Sequence, residues 1–273
     1  MRPAPPAERR RIDGRPPALA EMWAFRELVA VLAMKELRLR YRHAHLGVLW
    51  ALLQPAAAAA VFSVVFGRFA GMPSGHLSYP VFALAGAVPW QLFAFVTGQC
   101  ARCLLVNRSV IKHVYFPRLV YPLSIAAVGI VDTIPGLVLT LALAAVSVPG
   151  PGLSWGLVPP WFGLAIVPAL GAGVWVAALT VRLRDVHHML PFVTQLAFVA
   201  SPVAYPLEIV PPAWRTLYAL NPLVAPIEGM RAALSGAGCD GEVVTVSLAS
   251  GVVLLASGVA YFQRVAADLD DEL

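Results

Sequence analysis

One acidic residue, Asp132, falls inside a long apolar run, Leu119–Val148, so any chemistry it performs is performed in a lipid-like medium. A charged Asp at the centre of a bilayer costs roughly 2.5–3.5 kcal/mol on insertion scales, and such a residue faces a helix partner or a water path. A proton relay would need further ionisable groups at similar depth, and the other apolar runs supply none. Asp132 therefore reads as a structural hydrogen-bonding group to a neighbouring helix, or as part of a pathway wall. Cys100 and Cys103 form a single C-x-x-C pair after an apolar run, with no second pair to complete a metal site. His187 and His188 are adjacent, so on a helix they point about 100° apart and chelate one ion badly. With Arg182, Arg184 and Asp185 they make the one dense polar cluster, but no nucleophile and base accompany it. The chain has two lysines, Lys35 and Lys112, and neither lies in a glycine-rich phosphate-binding loop. Hydrolase and zinc-protease signatures are absent as well, which argues against ATP hydrolysis or other catalysis by this chain.

The elements that must position these groups are set by composition. Of 273 residues, 59% are hydrophobic and only 13% charged, with a mean hydropathy of +0.74. That is about half the charge of an ordinary soluble domain. The pattern predicts an all-α integral membrane protein, because about 20 apolar residues in a helix cross about 30 Å of hydrocarbon. Six runs qualify: Gly47–Phe66, Val81–Ala101, Leu119–Val148, Val158–Val181, Met189–Tyr205 and Val243–Val265. The third is long enough to tilt or to kink at Pro135. They form one transmembrane domain over residues 22–265, between a flexible basic arm (residues 1–21) and an acidic tail (residues 266–273). The arm is rich in Pro and Arg and has no apolar core of a signal peptide. With six spans and the N-terminus inside, seventeen of the twenty Lys and Arg residues fall on the inner side. That bias predicts both termini inside and explains the net charge of +5 without nucleic acid.

Three connecting pieces are more than loops. Met22–Glu36 is helix-prone, with Phe25, Leu28, Val29 and Leu32 on one face, and it leads into Lys35, Arg38, Arg40 and Arg42. Such a helix suits the inner membrane surface, as an anchor or as a docking element. Asn107–Arg118 is short, basic and cytosolic, so the sequon Asn107-Arg108-Ser109 within it is discounted. Pro206–Glu242 is too long for a turn, and Leu223, Ile227, Met230 and Leu234 recur at helical spacing. A helix there lies at the outer interface or re-enters the membrane, the latter only where protein or a water-filled cavity surrounds it. Small residues crowd the fourth run (Ala169-Leu170-Gly171-Ala172-Gly173) and the sixth (Gly251, Ser257, Gly258), which allows close helix approach. Trp50, Trp90, Phe93, Phe95 and Trp161 suit interface anchors, or faces on which sugar rings stack.

Several strings in order along the chain resemble the permease subunits of polysaccharide-exporting ABC transporters, the ABC-2 type that moves O-antigen, capsule or teichoic acid chains. These are Arg40-Tyr41-Arg42-His43-Ala44-His45-Leu46-Gly47-Val48-Leu49-Trp50 with Gln54-Pro55, then Val88-Pro89-Trp90 and Asn107, then Ile111-Lys112-His113-Val114-Tyr115-Phe116-Pro117-Arg118. Arg184-Asp185, Gln195, Ser201-Pro202-Val203-Ala204-Tyr205-Pro206 and Leu220-Asn221-Pro222-Leu223 with Glu228, Arg231 and Gly236 continue the resemblance. It covers about residues 22–265. Ala44 stands where many members carry Ser, and His113 where a second Lys is common.

The resemblance implies six helices, a second copy of the chain, and two separate ATP-binding cassette subunits that bind ATP and Mg, so this chain carries no cofactor. It implies a bacterial inner membrane protein that exports a lipid-linked glycan. It makes Asn107, Lys112, Tyr115, Phe116, Pro117 and Arg118 a coupling helix, and Arg40, Tyr41 and Arg42 the end of an interface helix at the inner surface. Trp90, Phe93, Asp132, Tyr205, Asn221, Glu228 and Arg231 become candidates for path or gate. Other readings stay open: a drug or lipid exporter of the same class, a proton-coupled carrier that depends on Asp132, and a membrane-embedded enzyme.

Overall fold

The computed structural model describes residues 23–41, 47–106, 116–148, 153–183 and 185–271. Asn107, Lys112, Tyr115, Arg42 and Arg184 lie outside the described residues. Among the described residues every regular element is helical. In lipid a backbone must satisfy its own polar groups, and a helix does so within one segment.

Helix α1 is Arg26–Tyr41 and α2 is Gly47–Phe62, which continues through a π-helical turn to Phe69. Helices α3 (Tyr79–Val106) and α4 (Val120–Ser147) follow. Short α5 (Val158–Leu164) leads through a turn at Ala165 into α6 (Ile166–Arg182). Then come α7 (Val186–Val199), α8 (Pro212–Tyr218), α9 (Val224–Ser235) and α10 (Gly241–Asp271). Helix α10 runs on through most of the expected acidic tail.

Five helical stretches are long and apolar enough to cross a membrane: Leu52–Phe69, Tyr79–Leu104, Val120–Ser147, Ser154–Arg182 and Gly241–Val265. They coincide with five of the six predicted runs. The remaining run, Met189–Tyr205, holds a shorter apolar helix, α7. Helix α7 has 14 residues, about 21 Å, and ends at Val199. Ser201-Pro202 follows, and Pro both lacks an N–H and pushes its predecessor out of helical geometry. Pro135, by contrast, lies within a continuous α4.

Helix α3 is the centre of the bundle, packed by α2, α4, α6, α7 and α9. Within its spanning window 61% of residues are buried, against 11% for α2 and 22% for α10. Glycine sets the closest approaches. A Cβ on Gly171 of α6 would meet the backbone of Leu255 at 2.8 Å, and one on Gly258 of α10 would meet the Gly171 carbonyl at 2.9 Å. The small residues of the fourth and sixth runs thus form the α6–α10 contact, as their spacing suggests. A Cβ on Gly173 would come within 3.0 Å of the Cys100 Sγ, so this thiol fills the α3–α6 crossing. Cys100 and Cys103 are buried free thiols.

The face Phe25, Leu28, Val29 and Leu32 packs against the core, as its period predicts. Helix α9 realises the pattern Leu223, Ile227, Met230 and Leu234, all fully buried. It is enclosed by α3, α5 and α10, which meets the condition for apolar backbone away from water.

Candidate functional site: a clamp, an aromatic wall and an ion pair

The clamp begins where α7 stops. Residues 200–206 are not helical, so their carbonyls need donors. Arg231 of α9 donates Nη2–H to the Val203 carbonyl at 2.7 Å and Nη1–H to the Tyr205 carbonyl at 3.3 Å. The Tyr79 hydroxyl at the start of α3 donates to the carbonyl between them, Ala204, at 2.6 Å. Three successive carbonyls are thus satisfied by two side chains from two other helices. Arg231 also donates Nε–H to the Phe82 carbonyl at 3.4 Å and pairs with Glu228 at 2.8 Å. Its guanidinium lies 3.6 Å from the centroid of the Phe82 ring. Five donors in a planar fork make Arg the residue for this task. Burial lowers the Arg231 pKa from its ordinary value, and Glu228 opposes that shift.

Asn221 closes the same region. Its amide nitrogen donates to the Ser201 hydroxyl at 2.8 Å, and its carbonyl oxygen accepts the Leu223 N–H at 3.0 Å at the start of α9. The Tyr205 and Tyr218 hydroxyls are 2.8 Å apart. Burial first, then the bond to Tyr205, pushes the Tyr218 phenol well above its usual range. Gly86 is required because a Cβ there would meet the Val203 carbonyl at 2.7 Å. Tyr205, Asn221, Glu228 and Arg231 are therefore brought together at one place. Tyr79, Phe82 and Gly86 complete it and were missed in the sequence. The available signal was Arg231 itself, a cation on a helix whose other periodic positions are apolar.

The aromatic wall lies beside the clamp. Trp90 and Phe93, one turn apart on α3, have ring centroids 5.4 Å apart. Phe198 of α7 stands edge-on to Trp90 at 5.3 Å and stacks on Phe62 of α2 at 5.9 Å. Trp90, Phe93 and Phe198 also pack on the buried trio Val203, Leu223 and Ile227. The wall and the clamp thus share the 200–206 segment.

The ion pair lies on the other side of α3. Asp132 has two partners, both from α1. Tyr41 donates its hydroxyl to Oδ1 at 2.6 Å, and Arg40 donates Nη2–H to Oδ2 at 3.2 Å. Arg40 also sits 4.8 Å from the ring centroid of Phe95 on α3. Asp132 is twelve residues into α4, about 18 Å along its axis. The C-terminal end of α1 therefore rises along the bundle. Arg40 and Tyr41, expected at the inner surface, are the partners that Asp132 needs, because a carboxylate in an apolar run takes a cation and a hydroxyl within its reach.

Phe116, Pro117 and Arg118 are the described part of the predicted coupling segment. Phe116 is buried, edge-on to Tyr121 at 5.4 Å, and the carbonyls of Pro117 and Arg118 accept the first N–H groups of α4. The segment is thus anchored in the foot of α4. Arg182 lies against Tyr261 of α10, 5.7 Å from its ring centroid. No group of three or more His, Cys, Asp or Glu suited to a metal ion occurs among the described residues.

Long apolar helices, with polar side chains gathered in a clamp and an ion pair, define a multi-pass all-α integral membrane protein. The ABC-2 type transporter family matches residues 27–235, and the chain belongs to that family. It is 26% identical over 243 residues to the O-antigen export system permease protein RfbA of Klebsiella pneumoniae, covering 88% of this chain and 92% of that protein. It is 29% identical over 216 residues to RfbA of Myxococcus xanthus, covering 75% and 79%. The polysialic acid transport protein KpsM of Escherichia coli is 26% identical over 212 residues, covering 76% and 80%.

Proposed function

We propose that this chain is the membrane-spanning permease half of an ATP-driven exporter that moves a lipid-linked polysaccharide out across the bacterial inner membrane. The observation that carries this is the match, over three quarters or more of the chain, to relatives named for O-antigen export and polysialic acid transport. The chain acts with a second copy of itself and with two ATP-binding cassette subunits, which bind ATP and Mg. With α7 as a sixth crossing, both termini face the cytoplasm.

One bundle of this size is thin for enclosing a polymer path, and a symmetric pair places the path at its interface. Helices α2 and α7 leave much of their apolar surface uncovered; in α7, Met189, Phe192, Val193, Leu196 and Val199 are all exposed. The second copy packs on that side. Trp90, Phe93 and Phe198 then stand beside the route, where aromatic faces suit sugar rings. Tyr205, Asn221, Glu228 and Arg231 hold the outer gate in shape. Asn107–Arg118, with Lys112, Tyr115, Phe116, Pro117 and Arg118, docks on the ATP-binding subunit and passes its closure into α3 and α4, the helices it joins. ATP-driven closure of the two cassettes shifts the pair from a closed to an open state.

Proteoliposomes holding the chain and its ATP-binding partner test the proposal. ATP-dependent delivery of a lipid-linked glycan to the trans side supports it. Movement of solute by the chain alone on a proton gradient would contradict it.

A further inference from the structure

We propose that Asp132 is a positioning residue that pins the end of α1 to the middle of α4, so that α1, the start of α2 and the α3–α4 pair move as one body during transport. The proposal rests on the exporter reading above. Asp132 is the one acid within the five spanning stretches, apart from the terminal Glu242 at the outer end of α10. Both its oxygens are occupied, by Tyr41 at 2.6 Å and Arg40 at 3.2 Å, and its side chain is only 11% exposed. Both partners come from α1, 91 and 92 residues away. Arg40 touches α3 as well, through Phe95. One guanidinium therefore joins α1 to both helices that carry the 107–118 segment.

The rest of α1 is held differently. Near its start, Phe25, Leu28, Val29 and Leu32 contact the core. Between these contacts and the ion pair lies a cleft of about 210 Å³, bordered by Lys35 and Glu36 of α1, Gln99 and Arg102 of α3, and Tyr121 of α4. The helix is thus fastened at two ends and loosely packed between them. Tyr41 lies six residues before Gly47, the first residue of α2. The pin consequently sets where the first spanning helix begins relative to α4. A push received at the foot of α3 and α4 reaches α2 about 18 Å higher, through this polar contact. Two contacts, one to each oxygen, hold Asp132 more firmly than either alone, which suits a joint.

The test is a double-mutant cycle in a strain lacking its own copy of the chain. Wild type, R40Q, D132N and R40Q/D132N are compared, with export read as total hexose on the cell surface and membrane level read by immunoblot. Each single substitution is expected to lower export about tenfold or more at unchanged membrane level, the range of a typical coupling energy. The double variant is expected to lose no more than the worse single. Losses that multiply, singles that export like wild type, or losses that only track membrane level would each overturn the pin. A proton-coupled carrier behaves otherwise: D132N abolishes transport whatever stands at position 40, and a protonophore stops the wild type. If the wild type restores no surface hexose, the exporter reading fails. The pin is then judged on the thermal midpoints of the four purified chains, where additive shifts overturn it and a double shift smaller than the sum supports it.

Discussion

The guanidinium of Arg231 rests 3.6 Å from the ring centroid of Phe82, and both side chains are buried. A cation is tolerated there because every other direction ends on an acceptor: the carbonyls of Val203, Tyr205 and Phe82 and the carboxylate of Glu228. Removing it strands those acceptors and the Glu228 charge. Arg231→Met is expected to cost about 3–5 kcal/mol. Arg231→Lys keeps the charge but lacks the planar fork, and falls between Met and wild type. Thermal midpoints of the purified variants in mild detergent check the order.

Gly229 gives a second test of how α9 is seated. A Cβ there would overlap the Trp161 ring, whereas one on Gly238 meets nothing within 4 Å. Gly229→Ala is expected to destabilise by about 1–3 kcal/mol through overpacking. Gly238→Ala is expected to be neutral, and Trp161→Leu to relieve part of the Gly229→Ala defect. Yield of monodisperse protein after extraction reports all three.

Topology can be read from a native residue. Among the cysteines, Cys100 and Cys103 are buried and Cys239 is exposed, in the turn before α10. With both termini inside, an impermeant maleimide labels Cys239 from the outer face of intact spheroplasts and fails to label inside-out vesicles. The reverse pattern would invert the proposed orientation.

The coupling segment calls for a surface substitution. Phe116 is buried against Tyr121, so Phe116→Ala removes packing as well as any contact with a partner. Arg118 is only partly buried, so Arg118→Ala removes less packing than Phe116→Ala. It is expected to leave membrane level unchanged while lowering export per ATP hydrolysed by about tenfold, a coupling loss of the usual size. The ratio of the two rates in proteoliposomes measures it. Export equal to wild type would remove Arg118 from the coupling path.

What was legible in the sequence was what depends on period and length. The apolar runs became helices, the Leu223–Leu234 period became α9, and the glycines of the fourth and sixth runs became a close crossing. Long-range polar pairing was not legible. Asp132 plainly needed a partner, but Arg40 and Tyr41 lie more than 90 residues away in a stretch whose positive charge suits the inner surface. Likewise Arg231 carried no mark that its acceptors would be backbone carbonyls, because those exist only once α7 breaks before Pro202. The expected fifth span was overlong for the same reason: hydropathy counts apolar residues and does not see where the backbone stops being helical.

As proposed, this chain is half of a transporter whose energy comes from a separate protein, and the mass and composition of the complex purified from membranes through a tag on this chain test that first. Two copies of the chain with two of an ATP-binding cassette subunit are expected, with ATPase activity that rises when a lipid-linked glycan is added. A chain that purifies without an ATPase and moves solute on a proton gradient would contradict it.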